Sequence, residues 1–449
     1  MTRRFRLASL VLAIAALLSL GFVGAVGAAA PVTVASGLNG TFILAAGEDG
    51  AIYAFDGGAG NTESISPPAG APADTPPLVR GRTGSIFRIA PNGSRTTVAS
   101  GLPSYEGFGA TGLVVANGFV WANFTVSPAA LYGAQPYPEE GYLVKIALAG
   151  GAPTRVADIA GYEAANSPQA AAGHPPESNP WGLALGPDGN LYVTDAAGND
   201  LLRVNPTTGA IDLVVLFPGL PGTEPNEARG GRNEADPVPT GVAAAPGGGF
   251  FVAHLPGEAG APPPGSGKVV RVSPTGQLSD YATGFNFAVN LAVGPDSQLY
   301  VVELVGGFGP QGPLPGRVTR VRAGGVKEVV ADGLNAPGGI AFDRAGNMYI
   351  STGTVSFGPP PPTPAGEIVR FDGVAAPPAP PSPSPSAPPS QPPAPPSTGS
   401  GGNLPGLPNT GAGGTARSPL PLLPALGLAA LVAGGLALRR RLAHAARSR

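Results

Sequence analysis

Cysteine is absent from this 449-residue chain, which excludes a disulfide framework, a thiolate nucleophile and any Cys-ligated zinc or iron–sulfur centre. Charge is scarce too. Asp, Glu, Lys and Arg make up 12% of residues, with only 3 His, 2 Met and 2 Trp. No long amphipathic helix is visible in the apolar pattern. In their place stand 70 Gly and 56 Pro, a composition suited to many short strands joined by tight turns.

The formal net charge of −2 hides an uneven distribution. Arg3, Arg4 and Arg6 lie at the start, and Arg417, Arg439, Arg440, Arg441, Arg447 and Arg449 at the end, with no acid in either segment. Removing these nine from the 26 basic residues leaves 17 against 28 acidic ones, a net charge of −11. Binding to a phosphate backbone needs clustered Lys and Arg, so nucleic acid is excluded as the expected partner and cations fit better.

One phrase recurs along the chain, clearest from Trp181 to Pro206: a short apolar strand, a tight Gly186-Pro187-Asp188-Gly189 turn, a second strand with an aromatic, and a third strand. The aromatics of the second strand are Tyr53, Trp121, Tyr192, Phe251, Tyr300 and Tyr349, spaced 68, 71, 59, 49 and 49 residues apart. The shortest spacings match one four-stranded propeller blade. The third strand carries a recurring cation between apolar neighbours (Arg88, Lys145, Arg203, Arg271, Arg320, Arg370), read as inter-blade or surface structure. The sixth copy ends at Phe371 without a fourth strand. Val32 to Leu38 resembles the fourth strands near Thr97 and Val329, so the N-terminal strand is expected to complete the last blade. The fold class expected is all-β: a six-bladed propeller over residues 31–373, closed by its own N-terminal strand. Long connections fall on one rim and short turns on the other, and loops on a rigid scaffold are where recognition tends to sit.

The flanks read as delivery signals. Residues 1–30 have the basic start, apolar run and small-residue end of a secretory leader. Residues 374–406 are a Pro/Ser/Gly-rich, solvated spacer; if Pro377 to Pro396 adopt polyproline II at ~3.1 Å per residue they span roughly 60 Å. Residues 407–449 hold Leu407-Pro408-Asn409-Thr410-Gly411, an apolar helical segment at 420–438 and a basic tail. This order is similar to an LPxTG sorting signal, which implies cleavage between Thr410 and Gly411 by a sortase-type transpeptidase; a plain C-terminal membrane anchor is the alternative. Either way the expectation is an exported protein, handled by signal peptidase and attached to the cell wall or membrane from outside.

Residues Val156–Asn166, Glu177–Leu183 and Val193–Val204 carry a further likeness: the span from Val32 to Gly373 resembles the ScyD/ScyE family, propellers akin to NHL-repeat and gluconolactonase-type proteins. The resemblance implies the fold. Calcium-dependent lactonases related to gluconolactonase use an axial metal, and here the positions three past each aromatic are Asp56, Phe124, Asp195, His254, Glu303 and Thr352. Asp56, Asp195 and Glu303 are therefore candidate ligands for Ca²⁺, which favours oxygen donors, although Phe124 and Thr352 break the ring. Polar residues that merely end strands are the alternative. His254 is the candidate general base and His174 is expected to face solvent. The insertion from Asp158 to Pro180 is read as a packed cap or a ligand clamp, with Glu163, Asn166, Asn179, Asp195 and Asn199 as candidate binding residues. Asn226, Glu227, Arg229, Arg232, Asn233 and Glu234 read as a solvated polar tip. The function expected is a surface module that binds a small molecule, carbohydrate or surface protein; the rival is an extracellular metal-dependent lactonase.

Overall fold

The computed structural model describes residues 30–377, apart from 61, 72–74, 106–107, 167, 170–176, 311 and 356–365. The leader ahead of Ala30, His174, the spacer beyond 377, Thr410, Gly411 and the 420–438 segment lie outside the described residues. Among those described, no helix is long and apolar enough to cross a membrane.

Among the described residues six antiparallel sheets of four main strands, one with a short fifth strand at Glu63–Ile65, and two two-stranded hairpins are formed; each of the six is numbered here as a blade with strands a to d from the axis outward. Blade 1 runs Leu44–Ala46, Ile52–Asp56, Leu78–Ile89, Arg95–Tyr105; blade 2, Ala110–Ala116, Phe119–Phe124, Tyr142–Ala147, Thr154–Asp158. Blade 3 runs Pro180–Leu185, Leu191–Asp195, Asp200–Val204, Ile211–Leu216; blade 4, Pro239–Ala244, Phe250–His254, Gly267–Val272, Leu278–Phe285. Blade 5 runs Ala288–Val293, Leu299–Glu303, Gly316–Val321, Lys327–Leu334; blade 6, Ile340–Phe342, Met348–Thr352, Gly366–Phe371, with Val32–Leu38 as its strand d. The expected closure is present, with Val32 opposite Arg370 and Leu38 opposite Gly366. Each strand a touches the next around the circle, and that of blade 6 touches that of blade 1.

Glycine makes the tight inner ring possible. Gly112, Gly182 and Gly241 in their inner strands, and Gly339 just before its own, stand in the same place of the repeat, and a Cβ on each would collide with the neighbouring blade. At Gly241 it would sit 2.6 Å from the Leu291 nitrogen. Hydroxyls and amides then tie blade to blade: Thr111 Oγ1 donates to the Pro180 carbonyl (2.7 Å), Asn123 Nδ2 to Trp181 (2.9 Å) and Thr240 Oγ1 to Ala288 (2.8 Å). These groups are buried, so each bond also spares a carbonyl the cost of dehydration without a partner.

The short-turn rim is built on the aromatic of strand b. In all six blades it lies directly opposite the strand c cation: Tyr53 and Arg88, Trp121 and Lys145, Tyr192 and Arg203, Phe251 and Arg271, Tyr300 and Arg320, Tyr349 and Arg370. The recurring cation is thus surface structure within a blade rather than between blades. Where the aromatic is Tyr, the a-to-b turn supplies an Asp that accepts its hydroxyl: Asp49 (3.3 Å), Asp188 (3.0 Å), Asp296 (2.8 Å) and Asp343 (3.3 Å). Blades 2 and 4 lack both the hydroxyl and the Asp. Their cations instead lie over the ring, Lys145 6.0 Å from Trp121 and Arg271 5.3 Å from Phe251.

This arrangement sets an alkaline limit. Burial, reinforced by the turn carboxylate, pushes all four tyrosines up, Tyr192 to about 12. An acid whose folded pKa exceeds its unfolded value, ~10 for Tyr, leaves stability unchanged below that value and removes it as pH rises toward the folded one. The melting temperature should therefore fall between pH ~10 and ~12. Tyr192→Phe should flatten part of the fall. Phenolate absorbance appearing well before unfolding would show that these hydroxyls are free.

Two readings change. Asn226 and Arg229 are not part of a solvated tip: in the hairpin formed by Leu220–Asn226 and Arg232–Ala235 both are buried, Asn226 Nδ2 donating to the Glu234 carbonyl (3.0 Å) and Arg229 Nε lying 2.7 Å from Asp236. The insertion after blade 2 begins with a helix, Ile159–Asn166, whose Ile159 and Glu163, one turn apart, both face inward.

Candidate functional site

Strand b of each blade ends at the loop-rich rim, where the repeat places Asp56, Phe124, Asp195, His254, Glu303 and Thr352. The structure does not bring Asp56, Asp195 and Glu303 together. Each carboxylate instead ties down the connection that leads into its own blade. Asp56 Oδ1 accepts the amides of Asn39 and Gly58 (both 3.0 Å). Glu303 accepts the Asn286 amide (2.8 Å), Arg317 Nε (2.8 Å) and Thr319 Oγ1 (2.9 Å). Asp195 accepts Ser178 Oγ (2.6 Å) and the amides of Asn179 (2.6 Å), Gly198 (2.8 Å) and Ala197 (3.1 Å).

The axis at this rim is closed by apolar side chains. Phe42, Phe108, Trp181, Val238, Val289 and Ala336, one from the start of or the approach to each inner strand, belong to a single buried cluster, and the place where six blades meet is the axis. Phe42 stacks on Phe108 at 5.0 Å and meets Trp181 at 6.0 Å. Val238, Phe287 and Ala336 take left-handed backbone (φ 44°, 52° and 40°) at equivalent positions, strain that a packed plug sustains. The three candidate carboxylates and this plug do not fit an axial Ca²⁺. Beyond the plug the inner strands line a cavity of about 500 Å³, reaching Gly294 and Pro295 in a short turn.

His254 does not fit a general base reached from solvent. Its ring is buried edge-on against Phe217 at 4.6 Å, and among the described residues neither nitrogen has a hydrogen-bond partner. Burial, with Lys268 nearby, pushes its pKa down to about 3, so it is neutral.

The insertion after blade 2 does gather polar residues. Of the five candidate binding residues, Glu163, Asn179, Asp195 and Asn199 meet where helix Ile159–Asn166 covers blade 3; Asn166 stays exposed, its side chain donating to the Tyr162 carbonyl. Asn199 Nδ2 donates to Gln169 Oε1 (3.0 Å) and its Oδ1 accepts the Val238 amide (3.2 Å), linking the insertion to blade 4. Asn179 Oδ1 accepts Thr125 Oγ1 (2.6 Å), linking blades 2 and 3. The sequence reading missed Asp200, which the turn at Ala196–Asn199 places directly opposite Asp195. Two Asp residues flanking a four-residue turn between strands was the signal available. Burial and the Glu163 and Asp195 charges raise Asp200 well above the carboxylate range; burial and Asp195 raise Glu163.

On blades 1 and 2 the rim carries a second structured feature. Arg80 and Arg82 lie 4.6 and 5.3 Å from the Tyr137 ring, Arg80 pairs with Glu63 (2.8 Å) and Arg82 with Glu139 (2.6 Å). Leu78, Ala129 and Tyr132 form a small core beneath these loops.

Residues 178–204 match the NHL repeat. No curated protein matches the chain. Among solved structures the chain is similar to a putative oxidoreductase (glucose dehydrogenase) of Thermus thermophilus, at 20% identity and TM-score 0.45 over 76% of this chain and 98% of that one. It is also similar to a Xanthomonas campestris gluconolactonase (10% identity, TM-score 0.45, 76% and 88%) and to the PQQ-bound aldose sugar dehydrogenase of Streptomyces coelicolor (15%, 0.46, 76% and 96%).

Proposed function

We propose that this protein is an exported propeller, tethered at the cell surface through its C-terminus, that binds a carbohydrate, small molecule or surface protein through its loop-rich rim. The carrying observation is where the chain enters and leaves the propeller. Val32 enters opposite Arg370, and Val374 and Ala375 leave beside Tyr300 and Gly346, with the Tyr300 hydroxyl donating to the Val374 carbonyl (3.2 Å). Both ends of the propeller therefore lie at the short-turn rim, away from the long loops that would meet a ligand. The ScyD/ScyE resemblance and the LPxTG-like order of the last segment support the same reading.

On that rim Arg82 and Tyr137 present a cation and an aromatic on a braced support, a combination that suits sugars and acidic or aromatic ligands. The test is binding of the purified chain to isolated envelope polysaccharide and to surface protein. Arg82→Ala and Tyr137→Ala should weaken binding about tenfold, a loss of ~1.4 kcal/mol, while Arg322→Ala on the other rim leaves it unchanged. The opposite ranking would place the interaction on the short-turn rim. Anchoring is tested separately: Thr410→Ala should move the protein from the wall-linked fraction to the membrane or medium, and an unchanged wall-linked fraction would remove the sorting signal from the reading.

A further inference from the structure

We propose that Glu163 and Asp200 hold a divalent cation, with Ca²⁺ the fitting ion, in a buried site between helix Ile159–Asn166 and blade 3. The side chains of these two residues lie within hydrogen-bonding reach of each other and are buried, 1% and 0% exposed, and among the described residues no donor from outside the pair reaches their four carboxyl oxygens. Charged acids are not left so in a dry interior without a counter-charge. Asp195, the third acid here, is not a substitute donor: four N–H and O–H groups already hold its carboxylate in its own loop. Among the described residues the groups that act on Glu163 and Asp200, by charge or by hydrogen bond, are each other and Asp195, with no Lys, Arg or His among them.

Gly198 keeps the space open, since a Cβ there would come 3.1 Å from the Glu163 carboxyl carbon. Among the described residues no set of three acids, histidines or cysteines is arranged to hold a metal, so this site has two charged ligands at most. Two carboxylates supply up to four of the six to eight oxygens that Ca²⁺ takes, and its loose geometry accepts neutral oxygens for the rest. Mg²⁺ is disfavoured because it gives up its water reluctantly and both of these side chains are buried. Such an ion would pin the insertion helix to blade 3. It lies off the axis and is independent of whatever the loop-rich rim binds.

The experiment uses the purified full chain after chelation, titrated with Ca²⁺ alone by calorimetry and followed by thermal melting, with Mg²⁺ in parallel. One Ca²⁺ per chain should bind, and at a hundredfold excess over Kd the melting temperature should rise by about 5 °C. Glu163→Gln and Asp200→Asn should each abolish that rise. If either variant fails to fold, the other and the wild-type response decide. No binding heat, with equal melting in chelator and in Ca²⁺, would overturn the proposal and leave the two acids sharing protons. Calcium binding unchanged in both variants would put the ion elsewhere, and an equal response to Mg²⁺ would overturn the choice of Ca²⁺.

Discussion

Replacing Gly241 by Ala is expected to cost about 3 kcal/mol and to lower the melting temperature by roughly 6 °C, although it adds one methyl group to a buried strand. The new Cβ would lie 2.6 Å from the Leu291 nitrogen and 2.8 Å from the Asn290 Cα. Both are backbone atoms of the next inner strand, so no side chain can rotate away; blade 5 must retreat from blade 4, stretching the Thr240 to Ala288 hydrogen bond. Blade 4 is locked on its other side as well, because Gly182 admits the Thr240 carbonyl. In a closed ring a displacement at one interface is passed to the other five. Thermal unfolding followed by circular dichroism checks this, with Thr207→Ala in an exposed turn as the reference at under about 0.5 kcal/mol. A Gly241→Ala loss no larger than that would mean the inner strands are not in close contact.

Much of this ring was legible in the sequence because a repeat states its fold several times. The aromatic and the cation opposite it recur six times, so strands b and c could be aligned from Tyr53 and Arg88 onward. The Asp of the a-to-b turn was equally open to reading, since it appears with Tyr and is missing with Trp121 and Phe251. What resisted was whatever occurs once. Helix Ile159–Asn166 has a Gly at its third position and only Ile159 and Glu163 turned inward, too little for an apolar stripe to show. Asp200 reads locally as the start of a strand, and its meaning comes from Glu163, 37 residues earlier, which only the fold brings near. The strand-end acids misled for a related reason: repeat equivalence places Asp56, Asp195 and Glu303 on one rim, but their direction depends on which loop amides each must satisfy. Phe42, Phe108 and Trp181 then occupy the axis that a shared metal would need.

The second large effect is expected from the N-terminal strand. Leu38 is fully buried against a cluster containing Phe87, Tyr349 and Ile368, which bridges blades 6 and 1. Leu38→Ala should cost about 3 kcal/mol through lost burial and the cavity left behind. Deleting 31–38 removes far more: every backbone partner of the outer face of Gly366–Phe371, and with it the covalent link that joins the last blade to the first. The exposed strand would present unpaired N–H and C=O groups flanked by apolar side chains, a template for pairing with other chains. The truncated protein should therefore form aggregates, and a synthetic peptide of residues 31–38 added during refolding should restore monomer, with Leu38→Ala in the peptide reducing the rescue. Light scattering and size-exclusion chromatography read both effects. A truncated chain that stays monomeric and melts within about 2 °C of the full protein would show that the ring holds through its inner strands alone, and that the strand is an ornament on blade 6 rather than its clasp.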